Sequence, residues 1–422
     1  MYLERSKSSP INLQLDRDKR LSPHDPFLQV IPQATARLKS IKILGTPENL
    51  EDITAQLSHP APLLKSLAIE VDWECSPDDS PEITTTLFGG DLSSLRELRL
   101  KCIRTELPWR NMANLTSFTL GYTVPEDSTF SIGHLLDFFE SAPRLREIQL
   151  RSATPTSGAQ NGRLVSLACL KRMSILRDGP SSLLLDHLLI PVGAKLEMQV
   201  DFLDPPIEGQ AASGSLPRSL DNLRNFPNFT KIHLSLSESC PHVRFSGPNG
   251  QVTMVPATPL DDTTCQVYEF LARFDASKIE RLSIANGDLG ESYDDHNLHQ
   301  VLSLMENLRT LVICRSKNLS DSIYVLEDSA VCPKLEELVL DPRYPGTRFG
   351  VGTVIGIVKG RASSGAKLKS VKISCRADFA QRDMLRLAKH VSHAECSPGV
   401  VKPYEESDSN DDSDGSDDGE EY

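Results

Sequence analysis

The 422-residue chain has no apolar run close to the ~20 residues that a membrane-spanning helix needs; its longest candidate, 351–358, is short and contains two glycines. Its opening, MYLERSKSSP, lacks the apolar core of a secretory leader. None of the nine cysteines forms a C-x-x-C pair, so neither a zinc knuckle nor a disulfide framework is indicated. Scattered, reduced thiols instead lead us to expect a cytoplasmic or nuclear protein.

Catalytic signatures are also missing. The sequence contains no G-x-S-x-G elbow, no H-E-x-x-H and no kinase motif set. Gly350, Gly352 and Gly356 in GVGTVIGIVKGR miss the dinucleotide fingerprint by one place, and no Walker lysine follows, so a loop entering a helix is expected there. We expect no enzyme, no cofactor and no metal. Basic excess is lacking too: the net charge is −13, and the last 18 residues supply ten acids and no base, leaving −3 for the rest. That balance argues against a nucleic-acid partner.

What the sequence does contain is a repeat. An apolar residue, two others, an apolar residue, one other and a third apolar residue recur along the chain. The copies are Leu38–Ile41–Ile43, Leu64–Leu67–Ile69, Leu95–Leu98–Leu100, Leu115–Phe118–Leu120, Leu145–Ile148–Leu150 and, more weakly, Leu170–Met173–Ile175. Phe229–Ile232–Leu234, Ile279–Leu282–Ile284, Leu308–Leu311–Ile313, Leu335–Leu338–Leu340 and Leu368–Val371–Ile373 continue the series. Ile11, Leu13 and Leu15, and Leu196, Met198 and Val200, read as degenerate copies. The last two apolar positions lie two apart, so in a strand they share one face. One strand cannot bury that face alone, whereas parallel neighbours at a fixed spacing form a continuous core.

Parallel strands need crossovers, and several linkers carry helix signals. Ile132, Leu135, Leu136 and Phe139 follow Ser131 at helical spacing; Leu298, Val301, Leu302 and Met305 follow Asp294-Asp295. Leu50, Ile53 and Leu57 follow Thr46-Pro47, while Val267, Phe270, Leu271 and Phe274 follow a Thr263/Gln266 capping pair. The expected fold is α/β: a solenoid with parallel strands on one face and helices on the other, roughly one of each per repeat. A doubly wound sheet also alternates strand and helix, but would need far fewer strands and a phosphate loop. The expected organisation is a first strand within 1–16, a solenoid over 17–395 with a hairpin insertion at 242–256 around Pro248-Asn249-Gly250, and a disordered acidic tail over 396–422.

The L-x-x-L-x-L units resemble the leucine-rich-repeat superfamily. LLDFFESAPRLREIQL (135–150), CPKLEELVLDPR (332–343) and the opening YLERSKSSPINLQLD (2–16) resemble the repeat domains of F-box/leucine-rich-repeat proteins of mushroom-forming fungi, a likeness that covers roughly 2–395. It implies a substrate-recognition module of a cullin–RING ubiquitin ligase. Two departures stand out. The Asn or Cys of many such repeats is replaced by Thr46, Asp72, Ile103, Ser316 and Arg343, and no F-box is seen before Ile11. A Skp-type adaptor is therefore expected as a partner only if an F-box lies upstream. The alternative is a free-standing binding or inhibitor protein, monomeric, with an unidentified protein ligand and no ligase link.

The alternation that buries the triplets turns the intervening residues outward. The expected partner-binding sheet face comprises Glu97, Arg99, Lys101, Glu147, Gln149, Arg151, Lys231, His233, Arg281, Ser283, Glu337, Asp341 and Lys372. Two groups have ligand-like residue types. Asp294-Asp295-His296 with His299 reads as helix N-cap chemistry, and His390, His393 and Cys396 as a helix C-terminal cluster. In the tail, Ser409 is the expected phosphorylation site, with Asp412 three residues on.

Overall fold

The computed structural model describes residues 8–17, 26–71, 82–83, 87–105, 111–122, 131–153, 162–176, 182–200, 229–235, 242–248, 250–256, 276–285, 295–314, 323–341, 351–375 and 381–398. Sixteen strands form one sheet. The first eight are β1 (Ile11–Arg17), β2 (Leu38–Gly45), β3 (Ser66–Val71), β4 (Glu97–Lys101), β5 (Ser117–Gly121), β6 (Glu147–Arg151), β7 (Arg172–Leu176) and β8 (Lys195–Val200). The rest are β9 (Lys231–Ser235), β10 (His242–Gly247), β11 (Gly250–Pro256), β12 (Arg281–Ala285), β13 (Thr310–Cys314), β14 (Glu337–Asp341), β15 (Ser370–Cys375) and β16 (His393–Pro398).

Strands β1 to β8 lie side by side in chain order, and β9 to β16 resume that order except at the hairpin. The triplets stand at equivalent positions in the ladder: Leu98 pairs with Phe118, Phe118 with Ile148 and Ile148 with Met173. Every residue of the eleven full triplets is buried. The solenoid expected from the repeats is the fold.

The expected hairpin is present, but it does not project from the repeats. β10 and β11 pair antiparallel with Gly247 opposite Gly250, and they enter the sheet between β8 and β9. β11 runs parallel to β8, and β10 antiparallel to β9, so direction is restored after two extra positions. Phe229 and Phe245 stack there with ring centroids 5.9 Å apart, sealing the junction.

Helices follow the predicted signals where those fall on described residues. Ser131 caps the helix Ile132–Ser141: its Oγ accepts from the His134 N–H at 3.4 Å, and His134 Nδ1 accepts from the Ser131 N–H at 3.3 Å. Phe138 of this helix lies 4.5 Å from Phe118 of β5, ring centre to ring centre, so the helix covers the core side of the sheet. Helices Pro47–Gln56 and Asp295–Ser303 also form as expected. The pair Thr263/Gln266 and the apolar residues after it lie outside the described residues.

Three expectations need correction. Helices are not one per repeat: the linkers β4–β5 and β6–β7 show none among the described residues. Gly352 and Gly356 lie inside the helix Val351–Ser363 rather than in a loop before it. The repeat array also runs past 395, because β16 adds a parallel strand to β15 and ends at Pro398.

The missing asparagine ladder has a main-chain substitute. Cys102, Tyr122 and Ser152, each directly after its strand, adopt left-handed φ values of 54°, 56° and 46°. That conformation turns each N–H sideways onto the next strand's last carbonyl: Cys102 to Gly121 (2.8 Å), Tyr122 to Arg151 (2.6 Å) and Ser152 to Leu176 (2.9 Å). The turn donors are thereby satisfied without a side-chain amide.

Candidate interaction face

The outward residues fall into three lines across the strands, set by the register. One line runs Arg99–Thr119–Gln149–Ser174–Glu197 and, beyond the hairpin, His233–Ser283–Val312–Val339–Lys372–Glu395. A second contains Glu97, Glu147, Lys231, Arg281 and Glu337. A third contains Lys101, Arg151 and Asp341. All thirteen expected face residues thus belong to one sheet surface, in three adjacent lines.

Asp341 does not point to solvent as expected; it is 5% exposed. Its line passes the C-terminal ends of the strands, where Glu70 and Ser235 are buried as well. At these strand ends alternation alone does not set exposure. Lys101 is half-buried and Arg151 exposed in the same line.

Neighbouring strands satisfy one another across the face. Arg99 Nε lies 3.1 Å from Glu70 Oε1, and Ser66 Oγ donates to Glu97 Oε2 at 3.2 Å. Lys372 Nζ donates to Glu337 Oε1 at 2.7 Å, while Thr310 Oγ1 donates to Glu337 Oε2 at 3.3 Å. The Lys372 bond holds the Glu337 carboxyl below its ordinary pKa. Lys101 Nζ sits 5.7 Å from the centre of the Tyr122 ring, and the Gln149 amide, with its oxygen toward Arg151, accepts from that guanidinium at 2.8 and 2.9 Å. His233 faces His242 at 5.7 Å between ring centres; burial first, then the nearby His242 and Arg244, lower its pKa. Val312 and Val339 interrupt these polar residues with a small apolar centre.

Sequence reading missed a further line. A spine of main-chain hydrogen bonds, each 2.8 Å long, links Lys39, Lys65, Arg96, Thr116, Arg146 and Lys171 across β2 to β7. Each carbonyl accepts the N–H of its counterpart in the next repeat; from Lys65 to Arg146 it also accepts the following N–H. The side chains on this spine therefore stand at the N-terminal edge of the sheet in single file, one per strand. The signal was present: the residue after the first apolar position reads K, K, R, T, R, K in the first six full triplets.

The cluster of His390, His393 and Cys396 is not brought together. β16 puts His393 and Cys396 on opposite faces, with His393 Nε2 3.6 Å from Glu395 Oε2. Asp294 and the side chains of Asp295 and His296 lie outside what the structure describes, and His299 is exposed on its helix. Among the described residues no three His, Cys, Asp or Glu side chains are placed to hold a metal ion. No described helix is long and apolar enough to cross a membrane. Ser409 lies outside the described residues.

No family model and no curated protein matches the chain. A solved structure to which it is similar is the crystal structure of a TLR13–ssRNA13 complex, at 16% identity and a TM-score of 0.34, covering 87% of this chain and 50% of that one. The chain therefore spans half the length of that protein.

Proposed function

We propose that this solenoid is a protein-interaction scaffold that receives a polypeptide ligand on the solvent-facing side of its sheet. One observation carries the reading: the register sets outward side chains into continuous lines across both halves of the sheet, an extended polar face around Val312 and Val339. Cross-strand pairs such as Arg99–Glu70 and Lys372–Glu337 hold side chains in place before binding, which reduces the ordering cost. The mixed charge suits a steered, polar interface. Resemblance to F-box/leucine-rich-repeat chains supports a finer reading, a substrate-recognition module.

Proximity labelling in cells tests both levels. The native chain and an Arg281→Glu/Lys231→Glu variant, matched for thermal stability, are compared. Neighbours enriched by the native chain and lost in the variant support the face as the docking surface. An unchanged set of neighbours assigns binding to another surface. A Skp-type adaptor among the neighbours supports the ligase reading; stable partners without one favour a free-standing binding protein.

A further inference from the structure

We propose that the cationic spine at the N-terminal edge of the sheet is the docking site of the chain's own acidic tail. Five of six consecutive spine positions from β2 to β7 are Lys or Arg. All five side chains are exposed, and none makes an ion pair or hydrogen bond among the described residues. Neighbouring strands lie about 4.8 Å apart, so these like charges repel one another along the line.

The other half of the same feature is built differently. There the spine runs Thr230, Glu280, Arg309, Glu336 and Lys369. Its charges alternate and compensate: Lys369 Nζ lies 2.7 Å and Arg309 Nη1 4.0 Å from the Glu336 carboxylate. The uncompensated half calls for a polyanion supplied from elsewhere, in an extended form that follows a straight row.

The sequence carries such a polyanion. Residues 405–421 hold ten acids and no base, and 24 residues follow Pro398. Nine strand spacings separate β16 from β7 and fourteen separate it from β2, about 43 and 67 Å along the sheet. An extended chain advances about 3.4 Å per residue. The acids from Asp411 to Glu421 therefore reach roughly 44–78 Å beyond Pro398, which matches the span of the spine. Tethering also raises the tail's effective concentration to about millimolar, ahead of a free acidic segment. This assignment does not depend on the scaffold reading, because the spine lies beside the face lines and needs no partner protein.

Photo-crosslinking of the full chain tests it. A benzophenone amino acid replaces Gly415, and the cross-linked peptides are mapped by mass spectrometry at low salt and at 1 M salt, where the Debye length is about 3 Å. Cross-links onto the peptides carrying Lys65, Arg96, Arg146 and Lys171, lost at high salt, are expected. A Lys65→Glu/Arg96→Glu/Arg146→Glu variant, which alters only exposed unpaired side chains, should lower their yield about tenfold. Arg281→Glu on the face should leave it unchanged. Cross-links to other surfaces, an absence of cross-links, insensitivity to the triple reversal, or links joining light and isotopically heavy chains in a mixture would each overturn the proposal.

Discussion

The guanidinium of Arg361 donates from Nη2 to the Cys332 carbonyl at 2.8 Å and from Nη1 to the Val331 carbonyl at 3.0 Å, with the residue fully buried. A longer bond of 3.4 Å from Nη1 reaches the Leu326 carbonyl. One side chain on the helix Val351–Ser363 thus ties down the turn that leads into β14. Removing it strands buried carbonyls and leaves a cavity. Arg361→Ala should cost about 3–5 kcal/mol, and Arg361→Met, which fills the space, somewhat less. Chemical-denaturation midpoints check both; equal stability to the native chain would remove Arg361 from this role.

Cys332 itself should be chemically silent. Burial pushes its thiol up to about 12, and its Sγ donates to the Leu302 carbonyl at 3.1 Å. At pH 8 the reactive thiolate is scarce and shielded. A thiol reagent should label exposed Cys169 in the native protein and Cys332 only after unfolding. Peptide mapping of the labelled sites provides the readout.

The left-handed turn after β6 gives a backbone prediction. Ser152 holds φ at 46°, a conformation that β-branched residues resist. Ser152→Val should destabilise the chain by roughly 1–2 kcal/mol. Thermal unfolding of the variant checks this, and no loss would mean that the turn adopts another geometry.

His233 sets a pH dependence. Its folded pKa lies below the ordinary value of 6.5, chiefly through burial. The unfolded chain therefore takes up the proton first, so the stabilising contribution is complete above about pH 6.5 and falls as pH drops through the folded value. Melting temperature should decline between pH 7 and 5, and His233→Gln should flatten that decline. An unaltered slope would place the titrating group elsewhere.

Much of this fold was legible because the signal repeats. A triplet such as Leu145–Ile148–Leu150 fixes which residues face the core, and a dozen copies fix which strand lies beside which. Ser131 likewise announces its helix through local chemistry. The burial of Asp341 was not legible, because alternation describes the pleat and says nothing about what covers a strand's end. The hairpin could be placed in sequence but not in space; its entry into the sheet depends on the β8 and β9 edges pairing with it. The cationic spine was visible in LKS, LKS, LRE, LTS, LRE and LKR, yet it gains meaning only when main-chain bonds bring these positions into one line.

Cross-strand register tests the central claim most directly. Thr119 of β5 stands opposite Gln149 of β6, both outward. A Thr119→Cys/Gln149→Cys variant should oxidise to a bridge that mass spectrometry finds between those two peptides, since opposed Cα atoms fall within disulfide reach. Thr119→Cys/Arg151→Cys, displaced by one outward position, should bridge far less. Equal bridging in both variants, or bridging only in the displaced pair, would contradict the parallel, in-register sheet and the face built on it.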